Sequence, residues 1–213
     1  MYLGMIIPSC QRISQMSGKP QYDEGAVIDA AVEAFWRHGY AATTINVLTE
    51  ATGLSRSSIY QRFQDKDGLF EIALGTYTDR VMTRISSCKG SSGRERLEAL
   101  LRGLLPMRSH RPPGCLLARS CAELIDLPPV GRKAAIWGMS QQRGLLESWL
   151  QEAIAAGELP TDADAGALAW HFLGVMQAIL NFPQSGATRS ELDRMIVVAM
   201  SVWPADDVAL TKV

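Results

Sequence analysis

The chain has few of the residues on which most enzymes and metal sites depend. Its three histidines, His38, His110 and His171, lie far apart, and its four cysteines, Cys10, Cys88, Cys115 and Cys121, form no Cys-x-x-Cys pair and no Cys/His cluster. Neither a zinc site nor a disulfide framework gains support. There is no Gly-x-Ser-x-Gly elbow and no glycine loop to cradle a phosphate, so the residues point away from an enzyme and imply no cofactor. Excess charge is missing too. Lys and Arg number 21 against 22 Asp and Glu, a formal net charge of -1 that names neither an acidic nor a basic partner. No run approaches the roughly 18 consecutive apolar residues of a bilayer span. The apolar start "YLGMIIP" has no basic run before it and no clear cleavage site. A cytoplasmic protein without a membrane partner is the expectation.

Strand signals are scarce, and helical periodicity fills the space. From Asp23 to His38, Val27, Ala30, Ala31, Ala34 and Phe35 form an i, i+3, i+4 stripe, and Gly39 supplies a stop. Thr44 suits the N-cap of a short helix with Val47, Leu48 and Ala51 inward, ending at Gly53. Ser55 suits the N-cap of a third helix, in which Leu54 and Ile59 have the spacing of a hydrophobic staple and Phe63 extends the buried side. Ser57 and Gln61 then point away from Ile59, flanked by Arg56 and Tyr60 on one side and Ser58 and Arg62 on the other. Asp65 caps a longer fourth helix. The Ser- and Gly-rich "SSCKGSSGRER", Ser86 to Arg96, reads as a loop, followed by helical patterns at 97–105, 114–125, 133–156, 163–182 and 190–203. Pro112-Pro113, Pro128-Pro129, Gly157 with Pro160, and Pro183 to Gly186 separate them. An all-α protein of about nine helices follows.

Two short helices joined by Gly53-Leu54-Ser55 and braced by a longer one are the makings of a helix-turn-helix, whose second helix enters the major groove. Base edges need long or hydrogen-bonding side chains, which Arg56, Ser57, Tyr60 and Gln61 provide. Phosphates need helix-start N–H groups and cations, which Thr43, Thr44 and Lys66 can supply. In isolation the same residues fit a solvated helix face. At this point the stretch "AAVEAFWRHGYAATTINVLTEATGLSRSSIYQRFQDKDGLF", Ala30 to Phe70, resembles the DNA-binding domain of the TetR family of transcriptional regulators. The resemblance is carried by the helix-ending Gly-Tyr, the paired Thr, Ala-x-Gly-Leu-Ser, the Ile-Tyr-x-x-Phe core and Lys66 followed by Gly68-Leu69.

The resemblance implies an N-terminal three-helix unit and a larger C-terminal helical domain that encloses a small-molecule inducer and dimerises through its last two long helices. It implies a double-stranded DNA operator, with phosphate contacts from Thr44, Tyr60 and Lys66, Thr43 nearby, and base-edge contacts from Arg56, Ser57 and Gln61; Arg62 suits either. The expected division is an arm over 1–20, a helix-turn-helix domain over 21–68, a connecting helix over 69–87, a ligand-binding and dimerisation domain over 88–205 and a tail over 206–213. Two departures stand out: Asp23 and Glu24 open the first helix where the family often carries basic residues, and Thr52 replaces a small apolar one. From Thr43 to Lys66 the net charge is only +1, so operator binding should be tight only as a dimer on a two-fold site.

Within "RPPGCLLARSCAELIDLPP", Cys115 follows Pro-Pro-Gly at a helix start between Arg111 and Arg119. This leaves two readings open: a thiol-based electrophile or redox sensor, or Cys115 and Cys121 as small buried hydrophobes. The six arginines between Arg94 and Arg119 suit an anionic effector or a solvated surface. Leu104, Met107, Cys115, Leu116, Arg119 and Trp137 are the candidate ligand-binding residues, with Leu101, Met139, Trp170 and Met176 as further cavity candidates. The last two helical patterns are apolar on more than one face, as helices at a subunit interface are, and His171 reads as a core or interface residue.

Overall fold

Side-chain caps set most of the helix starts. The computed structural model describes residues 22–105 and 112–204, where nine α-helices and one 3-10 turn occur and no strand is found among the described residues. Asp23 accepts from the N–H groups of Gly25 and Ala26 at 2.9 and 3.4 Å and opens α1 (Glu24–Ala42), which accounts for an acid at this position. Thr44 caps α2 (Ile45–Thr52), and Gly53 ends it at a φ of 72°. Ser55 accepts from Ser58 N–H at 3.1 Å to open α3 (Arg56–Phe63), and Asp65 accepts from Gly68 N–H at 2.9 Å to open α4 (Lys66–Ser86).

Elsewhere the boundaries move for identifiable reasons. Gly39 kinks α1 instead of ending it, taking φ 79° and ψ 171° before the helix resumes to Ala42. α5 (Gly93–Gly103) starts inside the stretch read as a loop, because Ser92 accepts from Glu95 N–H at 3.1 Å. α6 (Leu116–Ala122) is shorter than expected, and Cys115 stands just outside it without a side-chain capping bond. α7 (Pro129–Ala155) begins four residues before Lys133. Pro128-Pro129 reads as a break, yet a proline in the first helical turn lacks only an N–H that has no intrahelical partner. α8 (Ala165–Asn181) runs into the 3-10 turn Phe182–Ser185, and a Thr188/Glu191 capping box opens α9 (Arg189–Met200).

Two apolar clusters hold these elements. The first does not stop at α3: Phe35, Leu48, Ile59, Phe63 and Phe70 continue into Tyr77, Leu116, Leu117 and Ala135, so α6 and the start of α7 share a core with the N-terminal helices. The second joins α5, the rest of α7, α8 and α9 through Leu100, Trp149, Phe172, Leu173, Ile196 and Trp203. The segment Ala165–Ser185 has the length and apolarity of a membrane span, a property that core helices of soluble proteins share. Its inward side buries Ala169, Phe172 and Met176, while Trp170 and Phe182 stay exposed; on α9, Ile196 is buried and Val197 and Val198 are exposed.

Candidate nucleic-acid interface

α3 rests on Ile59 and Phe63, with Leu54 buried just before it, which leaves Arg56, Ser57, Tyr60, Gln61 and Arg62 exposed. Two of these are held in place. The Arg56 guanidinium donates to Asn46 Oδ1 of α2 at 2.5 Å, and Arg62 pairs with Glu24 of α1 at 2.5 Å. Exposed pairs of this kind are worth about 0–1 kcal/mol, so a phosphate or base edge can compete for either arginine. Glu24, a departure from the family pattern, is thus the partner of Arg62. The Ser57 hydroxyl is 2.8 Å from that of Ser55, and Tyr60 is 50% exposed.

The phosphate candidates divide. Thr44 is exposed at the start of α2, its hydroxyl accepting from Val47 N–H at 3.3 Å, where a helix N-terminus favours anions. Thr43 is 0% exposed, and its hydroxyl donates to Gly39 O at 2.5 Å. Its side chain braces the end of α1 and leaves the set of DNA contacts. Lys66 is half-buried: Nζ donates to Tyr40 O at 3.0 Å and stands 3.9 Å from the centroid of the Tyr40 ring. Burial lowers its pKa, and the Asp67 carboxylate opposes that shift. Lys66 is therefore also a brace.

Tyr40 is the junction that the sequence pattern does not disclose. Its N–H donates to Glu123 Oε2 at 2.9 Å, its hydroxyl donates to Asp67, and its ring packs 4.9 Å from that of Phe70. Burial, then the hydrogen bond to Asp67, pushes the phenol pKa above its ordinary value. Glu123 is paired in turn with Arg119 at 3.1 Å. The kink at Gly39 and Tyr40 is thereby tied to the end of α6. Glu123 is 83 residues away in the chain, and no local pattern links the two.

Farther from α3, a cavity of about 290 Å³ opens between α1, α4, α5, α7 and α8. Leu104 and Cys115 line it, as does Met176. Leu116 is buried outside the lining, Arg119 is turned to Glu123, and Trp137 is 50% exposed on α7 away from the cavity. Leu101, Met139 and Trp170 are likewise not part of the wall, and Met107 lies outside the described residues. The described arginines of the run do not line it either: Arg96 packs 3.8 Å from the Trp149 ring, and Arg102 bonds Glu98 and Asp193. Arg108 and Arg111 fall outside the described residues. Unforeseen in the wall are Asp29, Val32, Glu33 and Trp36 of α1. Trp36 Nε1 also donates to Pro113 O at 3.1 Å, a second tie between α1 and the chain before α6. The buried Tyr77 phenol is pushed above its ordinary pKa by burial and then by the adjacent Cys115 thiol. Among the described residues no group of three His, Cys, Asp or Glu side chains is placed to hold a metal ion.

Comparisons with known proteins agree with this architecture. Residues 27–73 match the family model of bacterial regulatory proteins of the tetR family, and residues 93–196 match that of the tetracyclin repressor-like C-terminal domain. The transcriptional repressor ComR of Escherichia coli K12 is 28% identical over 207 residues, covering 94% of this chain and 98% of ComR. The repressor AcnR of Corynebacterium glutamicum is 25% identical, covering 84% of this chain and 90% of AcnR. A cysteine mutant of the TetR-family regulator CifR, solved with a 26-base-pair operator DNA, superposes with a TM-score of 0.79 at 26% identity, covering 88% of this chain and 100% of CifR. These relatives are regulators, not enzymes. With matching family models for both the helix-turn-helix and the C-terminal helical domain, the chain belongs to the TetR family of bacterial transcriptional regulators.

Proposed function

We propose that the protein is a ligand-responsive repressor that binds a palindromic DNA operator as a homodimer and is released when a small molecule fills the cavity. The observation that carries the reading is the α3 face, where Arg56, Ser57, Tyr60 and Gln61 stand exposed over a fully buried Ile59. Support for a dimer comes from the large apolar side chains Trp170, Val197, Val198 and Val202, which stay exposed on α8, α9 and the turn after α9, where an apolar surface suits an interface. Support for a ligand switch comes from α1 and α4, which line the cavity and also carry the helix-turn-helix. A ligand that favours one setting of these two helices shifts the population toward dimers whose α3 helices no longer match the half-site spacing. The thiol-sensing alternative keeps one support, the place of Cys115 in the cavity wall, but loses Arg119, which is committed to Glu123. Reversible binding is therefore the preferred reading.

A salt titration by fluorescence anisotropy against palindromes flanking the coding region tests it. With Arg56, Arg62 and Lys66 as the cations of each recognition unit, six per dimer at most, log K should fall with log salt at a slope no steeper than about -5. Arg56→Ala should weaken operator binding by about 1–3 kcal/mol and relax the preference for operator over scrambled DNA. Salt-insensitive binding, or an Arg56→Ala protein with unchanged preference, would sink the reading.

A further inference from the structure

Arg84 brings a positive charge to the cavity wall that no carboxylate answers among the described residues. It sits in the last turn of α4, is exposed and lines the space, and its guanidinium donates to the Gly103 carbonyl at the end of α5 at 2.6 Å. That bond fixes the side chain, leaves the rest of its donor fork open and supplies no counter-charge. The other charged groups of the wall are matched: Arg80 pairs with Asp29, and Glu33 with Arg37. Asp29 and Glu33 against Arg37, Arg80 and Arg84 leave a net charge of +1. Residues 106–111 lie outside the described residues, and their sequence holds Arg108, His110 and Arg111 but no acid, so this stretch offers no carboxylate to cancel the excess.

The buried part of the wall is mostly apolar. Val32, Ile85, Leu100 and Met176 line it beside the Trp36 and Tyr77 rings, which meet edge to face with centroids 5.1 Å apart. Burial and then the Cys115 thiol raise the Tyr77 phenol pKa, and the Arg84 charge is among the effects that draw it down, so that charge is felt next to the apolar surface. A cation is repelled by the excess, and a neutral molecule gains nothing from it. A phosphate ester brings a second negative charge for which the wall has no partner. A monoanion with an apolar body answers both parts of the wall, and a carboxylate matches the planar donor fork of an arginine. About 290 Å³ restricts it to a size below most drug-like ligands. We propose that the cavity takes a small carboxylic acid in its anionic form, with an apolar ring against Trp36, Tyr77 and Met176 and its carboxylate at the Arg84 guanidinium. The inference rests on the cavity being the inducer site, and it adds the charge of the ligand and the residue that reads it. The cation comes from α4, not from the described arginines between Arg94 and Arg119.

Phenylpropionate and phenylpropionamide share a skeleton and differ in charge, and phenylpropylamine reverses the charge; all three can be titrated calorimetrically into the full chain. Wild type should bind the anion about tenfold or more tighter than the amide, the effect of hydrogen bonds between charged groups, and the amine more weakly than either. Arg84→Gln should bring the ratio of anion to amide affinity close to one, and Arg84→Lys should keep part of it. The amide should bind wild type and both variants alike, because it depends on the apolar wall. A second measurement needs no variant: in wild type the Arg84 Nε–H resonance should move farther with the anion than with the amide, and added salt should weaken the anion and spare the amide. Equal binding of anion and amide by wild type, a ratio unchanged in Arg84→Gln, an Arg84 resonance that does not respond to the anion, or no binding of any probe overturns the proposal. Operator binding measured in parallel keeps the two readings apart. Anion binding by a protein that ignores DNA, or anion binding that leaves operator affinity intact, sinks only the repressor reading, whereas operator binding with no preference for the anion sinks only this one.

Discussion

Gly39→Ala is expected to lower the melting temperature by about 6–10 °C and to weaken operator binding, although residue 39 is buried away from the exposed face of α3. Its φ of 79° and ψ of 171° lie in a region that is almost exclusive to glycine, and holding another residue there costs about 1–3 kcal/mol. Space adds to the effect. A Cβ at this position would stand 2.3 Å from Glu123 Oε1 and 2.8 Å from Arg119 Nε. Glu123 can swing aside only by giving up the Tyr40 N–H, and a hydrogen bond to a charged group contributes about 1.5–3 kcal/mol. The total, about 3 kcal/mol, corresponds to the stated shift for a chain of this length. Because Tyr40 also receives Lys66 at the start of α4, the damage reaches the segment that follows α3. Calorimetry and operator anisotropy on the same preparation check the result. An unchanged melting temperature would show that the kink tolerates a side chain.

Val198→Asp is expected to convert the proposed dimer to a monomer and to reduce operator affinity at least 100-fold, on the order of 3 kcal/mol or more. Val198 is 71% exposed in the single chain, and a substitution at such a site in a true monomer changes stability by about 0.5 kcal/mol or less. In a two-fold interface each substitution occurs twice, so two carboxylates are brought into an apolar contact and must be desolvated there. The face is suited to such a contact, with Val197 beside Val198 and Trp170 and Phe182 exposed on the neighbouring elements. Sedimentation velocity reads the mass and anisotropy reads the affinity. A monomeric wild type, or a variant that stays dimeric and keeps its affinity, would remove this face from the account.

The helix-turn-helix was legible because its signals are local. Thr44, Gly53, Ser55 and Asp65 cap or end helices within three or four residues of where they stand, and the Leu54–Ile59 staple spans one turn. What escaped depends on partners distant in the chain. Thr43 and Thr44 look alike in sequence, and only the packing of α1 decides that one is buried and the other exposed. Gln141 and Gln142 are equally anonymous neighbours within "SQQRG", yet α7 turns Gln142 into the cavity wall. Trp36 reads as a helix residue of the N-terminal unit; its contact with Pro113 and its place in the cavity exist only once α1 meets the C-terminal helices. Trp137 erred in the opposite direction. A tryptophan within a helical pattern suggests an interior, but its face of α7 is left uncovered.

The central claim is that two copies of the α3 face read one two-fold site. Selection of bound duplexes from a random pool by the full-length wild-type protein tests it most directly. The account predicts enrichment of a palindrome whose half-sites are spaced by roughly 10 base pairs or a multiple, bound by two or more chains per duplex in even number. Enrichment of a single unpaired half-site, or no enrichment over the starting pool, would contradict it.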